Sequence, residues 1–126
     1  MKANFALYLA PRSTGARLRP HGATPFRSAE QAWHWTMAAL IARRDSVSRS
    51  GTGVARPCDP DDIIRSVDRL YRNGRIQLHH ARILKVWGER QAAPDERYPA
   101  ERGEALVWRE ALYQMEAPLR RKGIIS

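Results

Sequence analysis

The stretch DPDDIIRSVDRLYRNGRIQLHHARILKVWGER, residues 59–90, decides how the rest of the chain is read. From Asp61 to Arg72 the apolar residues Ile63, Ile64, Val67, Leu70 and Tyr71 lie in one stripe at about 100° per residue, the period of an amphipathic helix. Asp59 can cap that helix. Pro60 suits its first turn, where a missing N–H costs nothing, and Asp61 and Asp62 complement the positive end of the helix dipole. Asn73 and Gly74 both tolerate a left-handed backbone and predict a stop. Ile76 then enters the core, and the pattern predicts a further helix over 78–90 with His80, Leu84 and Trp87 inward and Ile83 at the edge. Two short helices about a glycine-containing turn describe a helix-turn-helix-like hairpin at 61–90.

Toward the N-terminus, Ser28 with Gln31 three residues on is a capping-box pattern. Trp33, Met37, Leu40, Ile41 and Arg44 then recur at helical spacing, which predicts a helix over 29–44. Residues 45–57 hold serines and glycines without an apolar period and read as a connection. Residues 1–25 contain Pro11, Gly15, Pro20, Gly22 and Pro25 around one short cluster, Phe5, Leu7, Tyr8 and Leu9, and are expected to form a flexible basic arm outside a single helical domain over 26–126. Toward the C-terminus, the two prolines of 91–100 mark a loop. Ala105, Trp108, Leu112, Met115 and Leu119 then space a fourth helix over 101–117, expected to end at Pro118. The last residues either pack through Ile124 and Ile125 or hang free. The expected architecture is an all-α bundle of about four helices.

A chain of 126 residues with 43% apolar content can bury one modest core, so one domain is expected. The single cysteine, Cys58, cannot form an internal disulfide. No apolar run is long enough to span a bilayer, and the arginines after Phe5 to Ala10 reverse the charge order of a secretory signal, so a cytoplasmic protein is expected. The 22 Lys and Arg exceed the 13 Asp and Glu by +9, which points to an acidic partner. Only Lys2, Lys85 and Lys122 are lysines. Arginine grips phosphate with a planar fork of donors, as a nucleic-acid binder requires, although a GC-rich genome raises arginine everywhere. The excess sits in the first segment and the middle: residues 92–126 hold six charges of each sign.

These features favour non-catalytic binding of nucleic acid, with duplex DNA the first candidate. Gln77, His79, Arg82, Lys85 and Arg90 stand on the helix that would enter a major groove, and Arg65, Arg69 and Arg72 stand near the phosphate backbone, with Arg75 in the turn. Against a strict helix-turn-helix, the inward position after the turn is taken by Arg75, and Ile76 follows one residue late. The competing reading is a plain αα-hairpin whose arginines pair with Asp61, Asp62 and Asp68. Lys2, Arg12, Arg17 and Arg19 of the arm either follow a phosphate backbone or simply keep a loose terminus soluble. The alternative function is an adaptor holding an acidic protein surface with the same hairpin or with Trp35, which lies off the apolar stripe beside His34.

The runs FRSAEQAWHWTMAALIARR and RPCDPDDIIRSVDRLYRNGRI, continuing through HARILKVWGERQ, resemble small basic bacterial proteins with no assigned activity. The likeness covers about residues 26–126 and brings no functional residue with it. Metal ligation is not expected, since Cys58, His79 and His80 lack any paired ligand spacing. Nor is catalysis: Asp61 and Asp62 point to different sides of a helix start, and the glycines around Thr52 are not followed by the Lys-Ser/Thr of a phosphate loop. No cofactor is implied. A monomer or a homodimer is expected: helix 101–117 can pair with its copy unless its apolar stripe is used up inside the monomer.

Overall fold

A computed structural model describes residues 22–46 and 53–126. Its four α-helices are α1 (Ala29–Arg44), α2 (Pro60–Arg72), α3 (Leu78–Arg90) and α4 (Arg102–Arg121), with one 3-10 turn, Pro99–Glu101, where the expected loop meets the expected fourth helix. The arm expected over 1–25 lies outside the described residues except for Gly22–Pro25. There Thr24 N–H donates to the Ala55 carbonyl at 2.8 Å and ties this stretch to the segment before α2.

Three of the four helices, α1, α2 and α3, begin on a side-chain acceptor. Ser28 Oγ accepts from Gln31 N at 3.1 Å, but the Gln31 side chain reaches one residue beyond the cap, to Arg27 N at 2.7 Å. Asp62 Oδ2 accepts from Asp59 N at 2.8 Å. At α3 the acceptor is an imidazole: Gln77 N donates to His80 Nδ1 at 2.9 Å, so His80 fills the place usually held by Glu or Gln. These bonds satisfy N–H groups that the helix itself leaves without partners.

Two of the helix ends are alike. Gly74 has φ +74° and Gly123 φ +73°, the left-handed region that favours glycine. At the first, Gly74 N donates to Tyr71 O at 3.1 Å and Arg75 N to Leu70 O at 2.8 Å. At the second, Gly123 N donates to Arg120 O at 3.0 Å and Ile124 N to Leu119 O at 2.9 Å. Both are Schellman stops, and both fall on Leu-x-Arg-x-Gly-x-Ile: Leu70 to Ile76 and Leu119 to Ile125. The isoleucine that follows is buried each time.

One expectation fails here. α4 does not end at Pro118 but continues to Arg121. Proline removes the N–H that would bond the Gln114 carbonyl and crowds that carbonyl. That local cost is outweighed by carrying Leu119 into the core at 0% exposure and delivering Ile124 and Ile125, each at 2%. The tail therefore packs. Phe26 N donates to Ile124 O and Ser126 N to Phe26 O, both at 2.9 Å, so a short parallel bridge joins the entry to α1 to the end of the chain.

α1 and α4 each pack on all three other helices, whereas α2 and α3 share no packed seam. The turn at 73–77 thus splays the hairpin, which differs from an antiparallel pair lying side by side. The core is built from Trp33, Met37 and Leu40 of α1, Ile63, Ile64 and Val67 of α2, Leu84 and Trp87 of α3, and Trp108, Met115 and Leu119 of α4. Each of its three indoles finds an acceptor: Trp33 Nε1 donates to Leu84 O at 2.8 Å, Trp87 Nε1 to Glu104 Oε1 at 2.7 Å, and Trp108 Nε1 to Glu30 Oε1 at 2.8 Å. The helix stripe that a homodimer would use is consumed inside the chain, since Ala105, Trp108, Ala111, Met115 and Leu119 are all buried. Among the described residues no helix is long and apolar enough to cross a membrane.

Candidate nucleic-acid interface

Arg65, Arg69, Arg72, Arg75, Gln77, His79, Arg82, Lys85 and Arg90 are all exposed. They do not form one set. Arg65 lies 3.6 Å from Asp62 and Arg72 lies 2.8 Å from Asp68, so two of the three arginines along α2 are matched to carboxylates on their own helix. Arg90 lays its guanidinium 4.6 Å from the centre of the Trp87 ring. Arg69, Arg75 and Lys85 form no ion pair among the described residues. Residues 1–21 and 47–52 contain no Asp or Glu that could supply one.

Arg69 and Arg75 share a cleft of about 440 Å³ with Arg121 and Lys122 from the end of α4. Ser66, Asn73 and Gln114 add polar groups to it, and Leu70, Ala117 and Pro118 an apolar wall. Its construction follows from the two Schellman stops, which bring the C-terminal turns of α2 and α4 together with a cation in each last turn. Lys122 Nζ donates to Ser66 Oγ at 3.5 Å. Burial lowers the Lys122 pKa from its ordinary value, and Arg69 and Arg121 lower it further against the opposing charges of Asp62 and Cys58. Sequence reasoning missed Arg121 and Lys122, because the fourth helix was expected to stop at 117.

On the other side of Arg75 lies a shallower groove of about 580 Å³ lined by His80, Arg109, Glu110, Tyr113 and Gln114. Here His79, His80 and Glu110 hold potential ligand atoms within 4.8 Å of one another. The hydrogen bonds assign other work to His80. Its Nδ1 accepts the Gln77 N–H, which leaves the ring proton on Nε2, facing Glu110 Oε1 at 3.1 Å. A metal at Nδ1 would uncap α3, and one at Nε2 would have to expel that proton. Arg75 and Arg109 in the same groove also repel a cation.

Trp35 is half-buried against the core, its ring centre 5.0 Å from that of Phe26 at 55°. Arg56 stacks on the same Phe26 ring at 4.3 Å. Buried Asp61 meets Arg43 at 3.2 Å, a role beyond the dipole one expected for it. Cys58 is half-buried and unbridged. Comparison with protein-family models, with curated proteins and with solved structures gives no match for this chain.

Proposed function

We propose that the protein binds nucleic acid, duplex DNA in the first instance, without catalysing a reaction on it. The observation that carries this reading is the exposed run of cations left without a carboxylate along the end of α2, the turn and α3: Arg69, Arg75 and Lys85. Gln77 and His79, at the exposed start of α3, stand where a groove-entering helix presents its reading side chains. The splay of α2 against α3 supports the same reading, since a helix lodged in a major groove must stand clear of its neighbour.

Fluorescence anisotropy with mixed-sequence duplex over a salt series is the test. Several phosphate contacts make log K fall steeply with log salt between about 50 and 200 mM. Arg75→Ala weakens binding for all sequences alike and flattens that slope by about 1. Arg72→Ala, whose guanidinium is already held by Asp68, changes it little. Absence of binding by low-micromolar protein at low salt rejects the reading in favour of an adaptor for an acidic protein surface.

A further inference from the structure

We propose that the cleft between the last turns of α2 and α4 is a binding site for a multiply charged phosphate group, a phosphomonoester or pyrophosphate, gripped by Arg69 and Arg75 from one side and Arg121 and Lys122 from the other. This rests on the reading above only in taking phosphate as the chemistry recognised. It concerns residues of α4 that a groove-reading hairpin does not need.

Three observations converge. First, the arginines of the cleft are not ion-paired where they gather. Arg69, Arg75 and Arg121 form no ion pair among the described residues, and the 440 Å³ cleft has no carboxylate on its walls. Elsewhere on the molecule arginines are matched to carboxylates: Arg44 with Glu89, Arg65 with Asp62, Arg72 with Asp68 and Arg97 with Asp95. Second, the volume falls within the range of about 300–1,000 Å³ typical of small-ligand sites. Polar groups of Ser66, Asn73 and Gln114 can complete the coordination of phosphate oxygens, and Leu70 and Pro118 can face whatever the phosphate is attached to. Third, the four cations come from two elements 46 or more residues apart in sequence, so periodicity within one helix does not account for their meeting.

Cations are also favourable at helix C-termini, where they face the negative end of the dipole. That accounts for Arg69 and Arg121 one at a time. It does not account for their convergence, nor for Lys122, whose ammonium form is penalised in spite of the neighbouring helix ends. A bound dianion reverses that penalty. The charge count also selects the ligand: a backbone phosphodiester brings one negative charge to four cations, whereas a phosphomonoester or pyrophosphate brings about two or more.

Inorganic pyrophosphate is the probe, titrated calorimetrically into the full chain at constant ionic strength, with sodium sulfate as the comparison anion. Saturable one-to-one binding is expected. Arg69→Ala or Arg121→Ala weakens it by about tenfold or more, as loss of a charge-assisted hydrogen bond implies. Lys85→Ala, which removes the same charge outside the cleft, leaves it within about twofold. Binding also takes up protons at alkaline pH as the Lys122 pKa recovers. Thermal unfolding of each variant confirms that these exposed substitutions leave the fold intact. No saturable binding at millimolar pyrophosphate, or equal loss in all three variants, overturns the proposal. Competition identifies the source: pyrophosphate that displaces duplex DNA marks the cleft as the seat of a nucleic-acid phosphate, and pyrophosphate that binds alongside duplex marks a separate small ligand. Duplex binding without pyrophosphate binding sinks this proposal alone. Pyrophosphate binding without duplex binding sinks only the reading it was built upon.

Discussion

Gly88 and Gly103 both lie within helices, and propensity alone prefers alanine at either by up to about 1 kcal/mol. Their surroundings separate them. A Cβ on Gly88 would stand 2.6 Å from Met37 Cγ and 2.8 Å from Trp33 Nε1, both in fully buried side chains, whereas one on Gly103 meets nothing within 4 Å. Trp33 has little room to yield, because its Nε1 holds the Leu84 carbonyl of α3 at 2.8 Å. Gly88→Ala therefore destabilises the protein by about 1–3 kcal/mol through overpacking of α1 against α3. Gly103→Ala is neutral or stabilising by a few tenths of a kcal/mol. Urea unfolding of the pair checks this, and equal midpoints would refute it. The same scale shows where the sequence is mute. An isolated glycine in a helical pattern signals a close approach without saying to what, and the capping role of His80 is invisible because imidazole is not among the usual acceptors at that position.

At the scale of elements the helices were legible wherever local rules acted alone. Ser28, Asp59 and Asn73-Gly74 announce their boundaries, and the stripes of Ile63, Ile64, Val67 and of Leu84, Trp87 face the core as their spacing requires. The boundary at Pro118 was misread because the rule for proline is local, while what extends α4 is the burial of Leu119, Ile124 and Ile125. The candidate site inherited that error: Arg69 and Arg75 were identified, but their companions Arg121 and Lys122 meet them only because α4 runs one turn further. Pro118→Ala tests this account. Restoring an N–H to the Gln114 carbonyl without altering the burial stabilises the protein by about 1 kcal/mol, read as a higher urea midpoint at unchanged slope. Gly74→Ala has the opposite sign. At φ +74° it costs about 1 kcal/mol, with no steric contact to blame.

For the whole molecule, the fold is closed by its last residues and stressed by its charge. Phe26, Ile124 and Ile125 are buried together where the entry to α1 meets the end of the chain, so Ile125→Ala costs about 2–4 kcal/mol and lowers the single unfolding transition without splitting it. The charge acts at the opposite, polar side of α4's final turn. Lys122 has a lowered pKa in the folded protein, from burial first and then from Arg69, with Arg121 adding to it. Below that folded pKa both folded and unfolded chains carry the proton, and the fold bears the full penalty. Between the folded value and the unfolded one, near about 10.4, the unfolded chain binds more protons, so folding stability rises with pH across that window. The measurement is a difference: unfolding free energies of the wild type and Lys122→Met from pH 8 upward. The gap shifts in favour of the wild type as pH rises, and saturating pyrophosphate, by holding Lys122 charged, flattens it. A gap independent of pH would mean that burial and the neighbouring guanidinium groups of Arg69 and Arg121 do not together lower the Lys122 pKa, and would refute this account of its charge.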